Sequence, residues 1–177
     1  KDFPLDVYDN ENDFSKWEKQ EKIYSYSFDT HTDTLISPAG AGKWPAGRYV
    51  MEIRTKDSYG EKVETQSFFT AYSSNAKEIP DNSIGWFTML KGKAEPGEKA
   101  SFLFGTDARK IHAIYEVEHK GKIISRQFID LSEGQKAYEI TVTDDYRGNF
   151  SVNVIFVKYN RSFQYSEVIE VPFTNKK

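Results

Sequence analysis

Residues 148–154 read Gly-Asn-Phe-Ser-Val-Asn-Val, and residues 47–53 read Gly-Arg-Tyr-Val-Met-Glu-Ile. In both heptads a glycine is followed by an aromatic residue and then by two apolar residues at alternate positions. This period of two places the three apolar side chains on one face of a β-strand. The heptads are about one hundred residues apart, which is the length of one immunoglobulin-sized domain. The spacing therefore predicts a repeated β-domain.

Seven stretches rich in β-branched and aromatic residues follow one another in the second half of the chain. Turn signals separate them at the spacing that is typical of a β-sandwich. The predicted strands are 86–90, 100–104, 111–118, 123–130, 136–142, 149–158 and 162–171. In the turns between them, Pro96-Gly97 fits the centre of a type II turn, and Gly121 fits the positive-φ position of a short hairpin.

The first half carries weaker signals. Strands are predicted at 22–29, 34–37, 48–56 and 62–71, with a turn at 57–60 between the last two. Residues 11–22 are charged but have only Phe14 and Trp17 as an apolar pair, which is too little for an amphipathic helix. This segment is predicted to be a loop with at most one helical turn.

The repeat and the strand count predict an all-β chain of two tandem immunoglobulin/fibronectin III-like β-sandwich domains. Their predicted ranges are 1–77 and 85–177, joined by a polar linker at 78–84. If the two copies share a topology, strand 22–29 corresponds to 123–130. Residues 1–20 are too polar to supply the missing opening strands, so the first domain is expected to be incomplete. Its exposed sheet edge or face is expected to be covered by Phe3, Leu5 and Val7, by the second domain or by a neighbouring molecule in a crystal.

Composition restricts the function classes. The 177 residues include 13 Phe, 11 Tyr and 3 Trp, which is enough bulky material for a folded core. Lys and Arg number 24 against 27 Asp and Glu, a balance that argues against a nucleic-acid partner or a polybasic membrane face. The apolar runs are too short to cross a bilayer, so no membrane insertion is predicted. The absence of cysteine excludes disulfides and thiolate chemistry.

Residues with catalytic or metal-binding chemistry are sparse. The three histidines are His31, His112 and His119, and all three are expected to be ordinary solvated side chains. The last two lie seven apart on an alternating strand, which places them on opposite faces and prevents them from sharing a metal. No Gly-x-Ser-x-Gly motif selects a nucleophile. The sequence therefore predicts a protein that is not an enzyme, with no catalytic, cofactor-binding or metal site and no cofactor.

Two binding features stay open from the sequence. Residues 9–13 place oxygen ligands at alternating positions, but Phe14 stands where an EF-hand needs glycine and Gln20 stands where it needs glutamate. An acidic solvated loop is the simpler interpretation, with a looser calcium site as the alternative. Trp17, Trp44 and Trp86 are either core residues, which is the commoner role, or a platform that stacks on sugar rings.

Several turn and strand segments together resemble the macroglobulin domains of bacterial α2-macroglobulin-like proteins, especially those of the Bacteroidetes type. In the second half they are 93–100 (Lys-Ala-Glu-Pro-Gly-Glu-Lys-Ala), 115–125 (Tyr-Glu-Val-Glu-His-Lys-Gly-Lys-Ile-Ile-Ser), 146–150 (Tyr-Arg-Gly-Asn-Phe) and 171–176 (Val-Pro-Phe-Thr-Asn-Lys). In the first half, 44–49 (Trp-Pro-Ala-Gly-Arg-Tyr) and 56–61 (Lys-Asp-Ser-Tyr-Gly-Glu) resemble the end of the preceding macroglobulin domain.

The resemblance implies a scaffold fragment of a large extracytoplasmic protease trap, periplasmic or on the cell surface. In that family a cleaved bait segment triggers a change of shape, and many members carry a Cys-Gly-Glu-Gln thioester. With no cysteine and no recognisable bait, none of the family's functional residues carries over to this chain. The expected partners are neighbouring domains of the same longer chain and, through the full-length protein only, a target protease; the chain itself is expected to be a monomer. The alternative is a carbohydrate-binding or adhesive β-sandwich module.

Overall fold

The computed structural model describes residues 14–33 and 35–173, and within them the chain is all-β, as predicted. The only helical elements in these residues are three short 3-10 turns, Phe14–Lys16, Ala41–Lys43 and Asp144–Tyr146. The strands are β1 Gly47–Lys56, β2 Lys62–Ala71, β3 Trp86–Lys91, β4 Lys99–Thr106, β5 Ile111–His119, β6 Lys122–Leu131, β7 Gly134–Thr141, β8 Phe150–Lys158 and β9 Arg161–Ile169.

The chain divides into two compact units, Lys1–Phe69 and Thr70–Lys177. In the first unit β1 and β2 pair as a two-stranded sheet. The predicted turn between them is present: the Asp57 carboxylate accepts hydrogen bonds from the backbone N–H groups of Tyr59 and Glu61. Gly60 completes this turn with a φ of 86°, a conformation that costs other residues energy.

The strand predicted at 22–29 is wrong. These residues form no strand, and most of their side chains are exposed, including Tyr26 on the apolar face of the expected alternation. A strand needs a hydrogen-bonded neighbour, and alternation alone does not supply one. The proposed correspondence of 22–29 with 123–130 fails with it. At 34–37, residues 35–37 are not strand either, while position 34 lies outside the described residues, as do Phe3, Leu5 and Val7.

The second unit contains all seven strands predicted for it, each to within two residues. They form two antiparallel sheets, one with the order β3-β4-β7 and the other with the order β6-β5-β8-β9. This arrangement is consistent with a β-sandwich. The predicted turns are also confirmed, since Gly97 and Gly121 have φ values of 92° and 72°.

Aromatic side chains fill the core of the second unit. Phe102 and Phe104 on β4 are fully buried. Their ring centroids lie 5.6 Å from Tyr115 on β5 and 5.8 Å from Phe156 on β8, respectively. Because β4 belongs to one sheet and β5 and β8 to the other, these contacts join the two sheets, and burial of such large apolar rings dominates the stability of small cores.

Residues 73–84, which include the predicted linker 78–84, pack along the second unit. The carbonyl of Lys77 accepts a hydrogen bond from the Gln135 backbone N–H (2.7 Å), and the carbonyls of Ser73 and Ala76 accept from the Gln135 side-chain amide. Further along, the carbonyl of Ile84 accepts from the Thr106 hydroxyl at 2.6 Å. This segment is therefore tied to β4 and β7 rather than spanning open solvent.

Candidate interaction surface

The outward side of the four-stranded sheet carries an apolar row. Ile114 on β5 lies directly opposite Phe128 on β6 and Ile155 on β8. Phe128 is 77% exposed, and the nearby Val157 on β8 is 67% exposed. Strand alternation explains the row, because the intervening residues Ala113 and Phe156 point into the core. A row of neighbouring apolar side chains on one sheet face, unlike a single exposed side chain, is typical of a contact surface.

Beside the apolar row runs a polar row across the same face. The Arg126 side chain donates to the Glu116 carboxylate at 2.6 Å between β6 and β5. Next to it, the Ser166 hydroxyl of β9 donates to the side-chain oxygen of Asn153 on β8 at 2.7 Å. Glu116 and Asn153 are each only 9% exposed, since the surrounding side chains cover them. The row is thus internally paired and lies across the four strands in register.

On the other side of the polar row, exposed apolar side chains lie at the two edges of the sheet: Ile123 and Ile124 on β6 and Val168 on β9, with Glu118 and Ser151 between them in register. A bulge places two apolar residues together on β6: Val117 pairs with Ser125 and Glu118 with Ile123, so Ile124 has no partner on β5. The extra residue breaks the strict alternation of β6. All three side chains are about half exposed. We call the apolar row, the polar row and these three side chains the outer face.

The histidines take three different environments. His31 lies in an exposed turn, and His112 is an exposed side chain paired with Asp130. His119 is buried, and its Nδ1 lies 2.8 Å from the carbonyl oxygen of Asn149. The solvated environment expected for His119 is therefore wrong, because odd-numbered residues of β5 face the core. His112 and His119 do lie on opposite faces, as the alternation predicted.

The three tryptophans have different ring neighbours. Trp17 packs edge-on against Phe14 and is 47% exposed. Trp44 packs among Tyr24, Tyr49 and Phe69 of the first unit, and Trp86 is buried against Tyr72 of the second. The contacts give no support to a shared stacking platform.

The described part of the chain offers no cluster of side chains that could bind a metal ion. Residues 14–33 and 35–173 contain no group of three or more His, Asp or Glu side chains placed to hold a metal ion. The acidic stretch at 9–13 lies outside the described residues.

Two tyrosines, the buried Tyr115 and the half-buried Tyr165, are the groups whose ionisation is most perturbed. Burial raises the pKa of Tyr165 to about 12, and the negative charge of Asp81 adds to the effect. Burial also raises the pKa of Tyr115 well above its ordinary value, with a smaller contribution from Tyr146. Both rings pack against core phenylalanines, so their role is structural.

A scan against protein-family models and a search of curated proteins found no match to this chain. Among the described residues, none of the helical segments has the length and apolar character needed to cross a membrane.

Proposed function

We propose that this chain is a non-catalytic scaffold piece of a larger, extracytoplasmic macroglobulin-like protein, and that its outer face packs against a neighbouring domain of the same longer chain. The observation that carries the proposal is the outer face itself: accessible apolar side chains on both sides of an internally paired polar row. Such a surface is suited to contact with another folded domain. The macroglobulin part of the proposal is supported by the turn and strand segments that resemble macroglobulin domains.

The rigidity of the second unit supports a scaffold role. Two sheets joined by buried aromatic rings make a rigid block. In a protease trap the scaffold transmits a change of shape between domains, which requires rigid blocks and defined contacts between them. Fold alone does not imply function, so the protease-trap assignment rests on the resemblance.

The proposal is tested in the intact longer protein with a photo-cross-linking amino acid in place of Phe128. We expect a cross-link to another domain of the same chain. The matched control replaces Tyr159, a similarly accessible aromatic in the β8–β9 turn, and should give no such product. Equal cross-linking from both positions, or none from position 128, would contradict the proposed contact.

A second experiment tests the non-catalytic part. The 177-residue chain alone is mixed with an endopeptidase and with an unfolded protein substrate. We expect unchanged protease activity and no cleavage by the chain, because trapping requires the whole molecule to close around its target. A stoichiometric complex with the protease, or turnover of the substrate, would overturn the scaffold assignment.

A further inference from the structure

β9 is the outermost strand of the four-stranded sheet. Within the described part of the chain, residues 161–169 make backbone ladder contacts with β8 only. Beyond the strand, Glu170 exchanges backbone hydrogen bonds with Gly92 and Ala94, at 2.8 and 3.1 Å. The edge is thus closed at Glu170 and open along the nine residues of β9.

The other edge strands carry features that discourage pairing with another strand. β6 has the bulge at Ile124 together with the charged Lys122 and Arg126. β3 has an irregularity between Met89 and Lys91, and β7 is bonded at its start by Lys77. β9 has no proline, and its pairing with β8 is unbroken from Lys158–Arg161 to Phe150–Ile169. A long regular edge of this kind is a template for strand addition.

The sequence of β9 is complementary to itself. Residues 161–167 read Arg-Ser-Phe-Gln-Tyr-Ser-Glu, which is symmetric about Gln164. Antiparallel pairing of two copies about this residue places Arg161 opposite Glu167, Ser162 opposite Ser166 and Phe163 opposite Tyr165. Opposite charges, small hydroxyl residues and aromatic pairs are the cross-strand partners that stabilise antiparallel sheets. A shift by two residues in either direction instead places Arg161 opposite Tyr165 or Ile169.

The backbone supports the same register. A two-residue turn, Tyr159-Asn160, closes the β8–β9 hairpin, so Lys158 and Arg161 form a hydrogen-bonded pair. Alternation then directs the N–H and C=O groups of odd-numbered residues toward β8 and those of even-numbered residues toward the open edge. Ser162, Gln164 and Ser166 therefore present their backbone groups outward. Two copies centred on Gln164 can form about six reciprocal backbone hydrogen bonds.

We propose that the chain forms a two-fold symmetric dimer by antiparallel pairing of β9 with β9 of a second copy, centred on Gln164. The occupant of this edge is a second copy because the charges at its two ends complement each other only in an antiparallel self-pairing. The dimer replaces the monomer expected from the resemblance. It depends on the edge strand and not on the proposed scaffold function.

The test uses sedimentation of the 177-residue chain over a range of concentrations up to about 0.5 mM, which covers weak dimers. We expect concentration-dependent dimerisation. Gln164→Lys places two lysines face to face on the axis and should weaken the dimer by about tenfold or more. Ile123→Lys, on the opposite edge strand β6, is the matched control and should leave the dimer unchanged.

Charge reversal tests the register. Arg161→Glu alone and Glu167→Arg alone each bring like charges together at both ends of the interface, so each variant should be monomeric. When the two variants are mixed, the substituted side chains face each other with opposite charges at one end of the interface. The native Glu167 of one copy faces the native Arg161 of the other copy at the opposite end. A heterodimer should therefore form, detectable by native mass spectrometry.

Each outcome decides the proposal. A wild-type chain that stays monomeric throughout the concentration range overturns it. A dimer that is insensitive to Gln164→Lys shows that another surface is used. Monomeric charge variants that fail to associate when mixed exclude the register centred on Gln164. Circular dichroism establishes that each variant is folded, and the mixing result does not depend on equal stability.

Discussion

Gly105 on β4 lies against the Ile79 side chain of the 73–84 segment. A β-carbon at this position would lie 2.8 Å from the Gln135 β-carbon and 2.9 Å from the Gly134 carbonyl oxygen, and it would also meet the Ile79 side chain. These distances are shorter than van der Waals contact. Only glycine therefore permits the segment to lie against the sheet at this point.

We expect Gly105→Ala to destabilise the second unit by about 1–3 kcal/mol, since a methyl group must displace packed atoms. Gly42→Ala is the matched control, because an added β-carbon there has no atom within 4 Å and the backbone is unstrained. Urea unfolding followed by tryptophan fluorescence measures both. Equal midpoints for the two variants would show that the segment does not hold its position against β4.

The buried tyrosines give a pH dependence of defined sign. The pKa of Tyr165 is about 12 in the folded chain against an ordinary value of 10.0. A raised folded pKa means that the stabilisation is fully present below about pH 10 and is lost as the pH rises toward about 12. We expect Tyr165→Phe to lose less stability than the wild type over this window. Thermal unfolding of the wild type and of Tyr165→Phe from about pH 9 to about pH 11.5 measures the difference, and equal losses of stability in the two proteins would contradict the expectation.

Among the elements, the hairpin turn between β8 and β9 contains one unfavourable residue, Tyr159. Tyr159 and Asn160 both have positive φ, 48° and 62°. A type I′ turn requires this conformation, and Asn-Gly adopts it at the lowest cost. Tyrosine at the first position is uncommon in this region.

Replacement of Tyr159-Asn160 by Asn-Gly is expected to stabilise the second unit by about 1 kcal/mol, because the strained backbone becomes relaxed. In the Lys120-Gly121 turn, glycine already occupies the second position, so only Lys120→Asn is needed to give Asn-Gly. This single substitution should increase the stability by less than the double replacement. Chemical unfolding compares the two. A loss of stability in the first variant would mean that the exposed tyrosine ring contributes more than its backbone costs.

At the scale of the whole molecule, the compact second unit begins at Thr70 and not at the end of the predicted linker. A fragment from residue 70 keeps the carbonyls that Gln135, Thr106 and Asp107 bind, whereas a fragment from residue 85 loses all of them. We expect the shorter fragment to be less stable by about 2–4 kcal/mol, from several hydrogen bonds of about 1 kcal/mol each. Calorimetry of both fragments tests this. Equal stability would show that residues 70–84 do not stabilise the second unit and that 78–84 is only a linker.

Local sequence is enough to specify the strands of the second unit. Strands there alternate cleanly and are bounded by residues such as Pro96, Gly97 and Gly121, whose backbone preferences are local and so are visible without coordinates. The same local signals predicted the β1–β2 hairpin. They also gave the opposite orientation of His112 and His119, since a period of two fixes which side of a strand each residue takes.

Which of these segments pair with a neighbouring strand depends on the three-dimensional fold. The alternation at 22–29 resembles that of a strand, yet no strand forms there, because a ladder requires a neighbour that local sequence does not specify. Burial of His119, the attachment of residues 73–84 and the pairing of Glu116 with Arg126 depend on which strands become neighbours. The same holds for the outer face and the open edge of β9. Their residues can be read from the sequence, but their exposure depends on strand order, which is a non-local property.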